Sequence, residues 1–204
     1  LFYLPEPPEG FQPMRDLRRL PGDRLGAYSP TLRFEMERAQ QRREVALDLY
    51  QTAGDDLKKF GLTVSLRDDP ETVGADVRKA LGVNFSDQRT WRRKGALEPF
   101  KAWRRAIEAY GVLVFQMSGV ETDEVNGFAL AAEVLPIIAV NRGDVPNRRT
   151  FSLLHEFSHL LLNLSGVSDL DVDTTRPPEE QRIEVFCNHV AAAALMPKEH
   201  VLSA

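Results

Sequence analysis

The sequence holds a single cysteine, Cys187, among 204 residues. One thiol excludes an intramolecular disulfide framework and fits a reducing compartment. No long apolar run is present either. The longest, Val190 to Met196, is far too short to cross a bilayer. The opening Leu1-Phe2-Tyr3-Leu4-Pro5 has neither the basic start nor the apolar middle of a secretory signal. Together these absences argue for a cytoplasmic protein with no membrane partner. No strong excess of one charge sign is present, since the net charge is −4. That balance hides an asymmetry: residues 1–110 are slightly basic and residues 111–204 clearly acidic. The basic stretches Arg15 to Arg19 and Arg89 to Lys94 are interrupted by apolar or acidic residues. They fall short of the concentrated basic face of a nucleic-acid-binding domain, so no nucleic-acid contact is expected of this chain itself.

What is present has a clear order. Residues 1–29 carry Pro5, Pro7, Pro8, Gly10, Pro13, Pro21 and Gly22, and read as an extended arm or linker. With no initial methionine, the chain reads as a piece of a longer protein. Residues 30–204 then form the folded part, helical over 30–110 and mixed over 111–204. Ser29-Pro30 starts a long helix that ends by Gly54, with Ser29 as the cap and proline at the first helical position. Asp69-Pro70 starts a second, with Val73, Val77 and Leu81 on one stripe and Gly82 at its end. Phe100, Trp103, Ile107 and Tyr110 mark a third.

The periodicity then changes. Val112 to Phe115, Phe128 to Ala132 and Leu135 to Val140 are short apolar runs bounded by Gly, Pro or Asn. They predict three strands in one small antiparallel sheet. Helix returns from about Asn147 to Leu164 and from about Pro178 to Leu195, with a polar, acidic loop over Ser165 to Pro177 between them. The fold class is therefore α+β.

All four histidines lie in the last fifty residues: His155, His159, His189 and His200. Two of them form His155-Glu156-Phe157-Ser158-His159, a His-Glu-x-x-His motif. On a helix, positions i and i+4 differ by about 40° in azimuth, so both imidazoles leave one face and suit one metal ion. Glu156 lies about 100° round from His155, where it can reach a water on that metal. Phe151, Leu154, Phe157, Leu161 and Leu162 make the rest of the helix apolar, hence buried. Buried histidines and a carboxylate need a partner. By chance the motif should occur well under about once in a hundred chains of this length, so coincidence is the weaker explanation.

A catalytic zinc needs a third protein ligand and an open position for water. Glu184 is the candidate, flanked by the apolar Ile183, Phe186, Cys187 and Val190. Asn188 follows one turn later, placed to hydrogen-bond a ligand histidine. Glu179, Glu180, Asp173, His189 and Cys187 are weaker alternatives. Glu179 and Glu180 sit at a helix start, where the dipole alone accounts for acids. His189 points to a different face from Glu184, and Cys187 suits core packing. No residue stands out as an oxyanion donor, and His189 and His200 are the spare imidazoles.

These residues resemble the ImmA/IrrE family of metallo-endopeptidases, zincin-like proteins that cleave repressors. The similarity rests on Arg149 to Leu161, on Glu184 with Asn188, and on Ala191 to Pro197. Upstream, Trp103-Arg104, Ile107-Glu108, Gly111 to Phe115, Gly127-Phe128 and Pro136 to Asn141 fit as well, so it covers about residues 30–200. The opening Leu1 to Asp16 looks like the segment that follows a helix-turn-helix domain in DNA-binding members. Two departures stand out: the family often has Arg or a similar residue where His189 stands, and often an acidic residue near Ala193. The resemblance implies one Zn2+ per chain on His155, His159 and Glu184, with Glu156 as general base. It also implies a helix-turn-helix repressor as substrate. The alternative is a sensor or effector domain of a DNA-binding regulator with a structural metal. The presence of Glu156 speaks against it, since a structural site needs no base.

Overall fold

The computed structural model describes residues 28–168 and 178–202. The expected arm over residues 1–27 and the greater part of the acidic loop, with Asp173, lie outside the described residues.

Helix α1 (Pro30–Ala53) begins where Ser29 accepts a hydrogen bond from the Leu32 amide at 3.1 Å and ends at Gly54, whose φ of 72° is left-handed. Helix α2 (Pro70–Ala80) is capped likewise by Asp69, which accepts from the Thr72 amide at 3.0 Å. Helix α3 (Phe85–Lys94) was legible only as a basic stretch, for it buries no residue fully and offers only Phe85 and Trp91 as apolar signal. Helix α4 (Glu98–Ala109) buries Phe100, Trp103 and Ile107.

The sheet corrects the expected antiparallel, three-stranded arrangement. Four short strands, β1 (Leu113–Met117), β2 (Gly127–Leu130), β3 (Ile137–Asn141) and β4 (Gly166–Ser168), run in the order β1-β3-β2-β4. Strand β3 is parallel to β1, with Leu113 opposite Ile137, and antiparallel to β2, with Phe128 opposite Ala139. The reason lies in β3 itself, which is buried at every position and so takes a central place covered on both faces. Strand β4, in the segment expected to be loop, pairs antiparallel with β2, with Gly127 opposite Ser168. Its three residues are too few to show an alternation.

The sheet divides the core in two. On one face α1 packs Leu32, Met36 and Ala39 against Phe128, Leu130, Ile137 and Ala139. On the other, helices α5 (Pro146–Leu161) and α6 (Pro178–Leu195) join α2 and α4 around Val114, Ala129, Ile138 and Val140. A short helix, α7 (Lys198–Leu202), follows the Met196-Pro197 stop. No helix among the described residues is long and apolar enough to cross a membrane.

Candidate metal centre

Helix α5 is buried on all sides from Ser152 to Leu161. A helix in that position is apolar all round, or its polar groups are satisfied internally. Thr150, Ser152 and Ser158 donate to the carbonyls of Pro146, Arg148 and Leu154, four residues back, at 2.8 to 3.0 Å. His155, Glu156 and His159 are the exceptions. They are 0%, 0% and 4% exposed, and their chemistry reaches outward from α5.

The start of α5 is pinned to the sheet. Arg149 donates to Gln116 of β1 at 3.0 Å and to the carbonyls of Arg142 and Asp144 at 2.9 Å. Asn141 donates to the carbonyls of Val120 and Val125 at 3.0 and 3.1 Å, holding the loop that leads into β2. Asp144 is buried at this junction, and burial pushes its carboxyl above the usual range against the opposing pull of Arg148 and Arg149.

Helix α6 brings its own carboxylate to α5. The Nε2 atoms of His155 and His159 stand 3.1 Å apart, and the Glu184 oxygens lie 3.2 Å from the first and 3.5 Å from the second. Ligand atoms of these three buried residues all fall within 4.8 Å of one another. One turn further along α6, Asn188 Oδ1 accepts from His155 Nδ1 at 2.9 Å. That bond places the proton on Nδ1 and leaves the Nε2 lone pair facing Glu184 and His159. Two imidazole nitrogens and a carboxylate, all buried and converging on one point, make the donor set that zinc prefers.

The weaker candidates lie elsewhere. Glu179 is exposed and Glu180 half-buried in the first turn of α6. His189 lines a separate groove with Leu66, Arg67, Val185 and Phe186, and His200 stacks on Phe85 at 4.3 Å. Cys187 is fully buried. Burial, with the charges of Glu184 and Glu156 adding to it, raises its thiol well above the ordinary range, so it is held as a neutral core residue.

Two features escaped the sequence. Gly127 of β2 stands against Glu156: a Cβ there would lie 2.8 Å from Glu156 Oε1. The only local signal was a glycine at the start of an apolar strand. The far end of α6 is held by residues distant in sequence. Arg78 donates to the Ala194 carbonyl at 2.6 Å, and Gln88 to the Leu195 carbonyl at 2.7 Å. Gly74 of α2 meets Ala193 so closely that a Cβ would fall 2.6 Å from the alanine methyl.

Comparison with known proteins bears on this arrangement. Residues 107–204 match the profile of the IrrE N-terminal-like domain, Peptidase_M78. The chain is also 43% identical over 65 residues to the radiation response metalloprotease IrrE of Deinococcus deserti. That stretch covers 31% of this chain and 23% of the relative.

Proposed function

We propose that this chain, whose residues 107–204 match the IrrE N-terminal-like peptidase domain, is a member of the ImmA/IrrE metallopeptidases: a zinc-dependent endopeptidase that cleaves a helix-turn-helix repressor in the cytoplasm. The observation that carries this reading is the convergence of His155, His159 and Glu184 beside a fourth buried ionisable residue, Glu156, on the same helix. A purely structural site would not need Glu156 there.

In this reading His155 Nε2, His159 Nε2 and Glu184 hold one zinc ion, and Asn188 fixes the tautomer and ring orientation of His155. Zinc, when bound, supplies a Lewis acid that polarises the peptide carbonyl and makes water a better nucleophile at neutral pH. Glu156 accepts the proton of the attacking water on its carboxylate and delivers it to the leaving amide nitrogen. The buried walls of α5 and α6 exclude bulk water and so strengthen these charge interactions. Strand β4 pairs with β2 on one side only among the described residues, and its outer edge suits an extended substrate segment.

The test is co-expression with helix-turn-helix repressors encoded near the gene, followed by incubation of the purified pair with zinc or with a chelator. Zinc-dependent fragments of one repressor are expected. A chain with stoichiometric zinc that leaves every such repressor intact would overturn the proposal.

A further inference from the structure

Strand β2 presents alternate residues to the two halves of the core. Phe128 and Leu130 face α1, whereas Ala129 belongs to the cluster that contains α5. Gly127, two positions from Ala129, shares the α5 side. At Ala129 a methyl group is accommodated at that face. At Gly127 it is not, because a Cβ would lie 2.8 Å from Glu156 Oε1, 2.9 Å from Glu156 Cγ and 2.9 Å from the Ala139 carbonyl oxygen. Gly127 is not among the glycines with positive φ. Its backbone would admit any L residue, so the demand for glycine is one of space.

We propose that Gly127 is a positioning residue for the general base: the volume its missing side chain leaves is the slot that fixes the Glu156 carboxylate. This rests on the assignment of Glu156 as base. It adds that the base is aimed from the sheet side, by a residue with no functional group of its own. Any side chain at position 127 pushes the carboxylate out of that slot, while the metal-binding side chains, none of which supplies the closest contacts of a Cβ there, keep their places.

The close Ala139 oxygen makes a competing account possible, in which glycine serves the sheet alone. A double-mutant cycle separates the two. Melting temperatures are measured in the presence of chelator for wild type, Gly127→Ala, Glu156→Ala and the double variant. Gly127→Ala is expected to lower the melting temperature by roughly 5 °C in the wild-type background and by less than half as much beside Glu156→Ala. Cobalt(II) titration of Gly127→Ala, followed by visible absorption, should give an affinity within about threefold of wild type. On the cleaved repressor, kcat should fall at least about tenfold with little change in KM.

An equal loss of melting temperature in both backgrounds, or failure to fold in both, would assign the glycine to the sheet and overturn the proposal. So would wild-type kcat in Gly127→Ala. Folding restored by Glu156→Ala would support it. Absence of any cleavage by wild type would refute the peptidase reading alone, since the melting cycle still reports on the slot.

Discussion

His155 and Asn188 are joined across the two long helices of the site by a 2.9 Å hydrogen bond from Nδ1 to Oδ1. It links the first histidine-bearing turn of α5 to α6 one turn beyond Glu184, and so ties ring orientation to helix packing. Replacing Asn188 with alanine should therefore weaken zinc binding by about 10- to 100-fold, the usual cost of losing such a supporting partner. Asn188→Asp, which keeps an acceptor, should retain most of it. A competition titration with a coloured chelator measures both, and an alanine variant within twofold of wild type would refute the orienting role.

Glu184 and Glu180 lie on the same helix, but only Glu184 reaches both imidazoles. Glu184→Gln should lower zinc affinity severely, while Glu180→Gln should leave it unchanged. The opposite ranking in the same titration would remove Glu184 from the ligand set.

Glu156→Gln keeps the shape of the side chain and removes its basicity. Zinc content should stay at one per chain, and cleavage should drop by roughly 10²- to 10⁴-fold. Near-normal cleavage with full zinc occupancy would show that some other group moves the proton.

Metal removal should also be felt in stability. An ion that binds the folded chain and not the unfolded one stabilises by mass action, by about 2.7 kcal/mol at a hundredfold excess over its dissociation constant. Adding a chelator to zinc-loaded protein at pH 7.5 should lower the melting temperature by several degrees, and adding zinc back should restore it. A melting curve indifferent to both would count against a site built across α5 and α6.

Asp144 offers a test by pH. Burial raises its carboxyl above the unfolded value of about 3.9, so the folded chain holds that proton more tightly than the unfolded one. Its ionisation therefore costs stability as pH rises through the interval between the two values. Relative to wild type, Asp144→Asn should gain melting temperature as pH increases from 3.5 to 7. A difference that shrinks over that range would mean that Arg148 and Arg149 outweigh the burial.

Local chemistry explains what was readable. Ser29-Pro30, Gly54 and Asp69-Pro70 each satisfy a helix end within three residues, and α1 and α2 begin or end there. The four-residue spacing of His155 and His159 follows from helix geometry alone. Glu184 could be singled out because its apolar neighbours Phe186, Cys187 and Val190 announce a buried face. The strand order could not, because β3 enters between β1 and β2 through pairings that no local pattern records. The Gly127–Glu156 approach and the Arg78 contact at the end of α6 span 29 and 116 positions, and arise only once the layers are packed.

The crossing of α2 over α6 has a consequence for how this protein can be cut and recombined. The segment that matches the peptidase profile starts at residue 107, but Gly74, Arg78 and Gln88, which seat the end of α6, all precede it. Excised at that boundary, α6 would lose its cover at Ala193 and the donors to its last carbonyls, and Glu184 would ride on a helix seated against α5 without α2. A functional transplant into another protein must carry α2 and α3 with the histidine motif. Exchange of α2 between relatives would succeed only where position 74 stays glycine, because a Cβ there would also meet the α6 backbone, 2.8 Å from the Ala194 nitrogen.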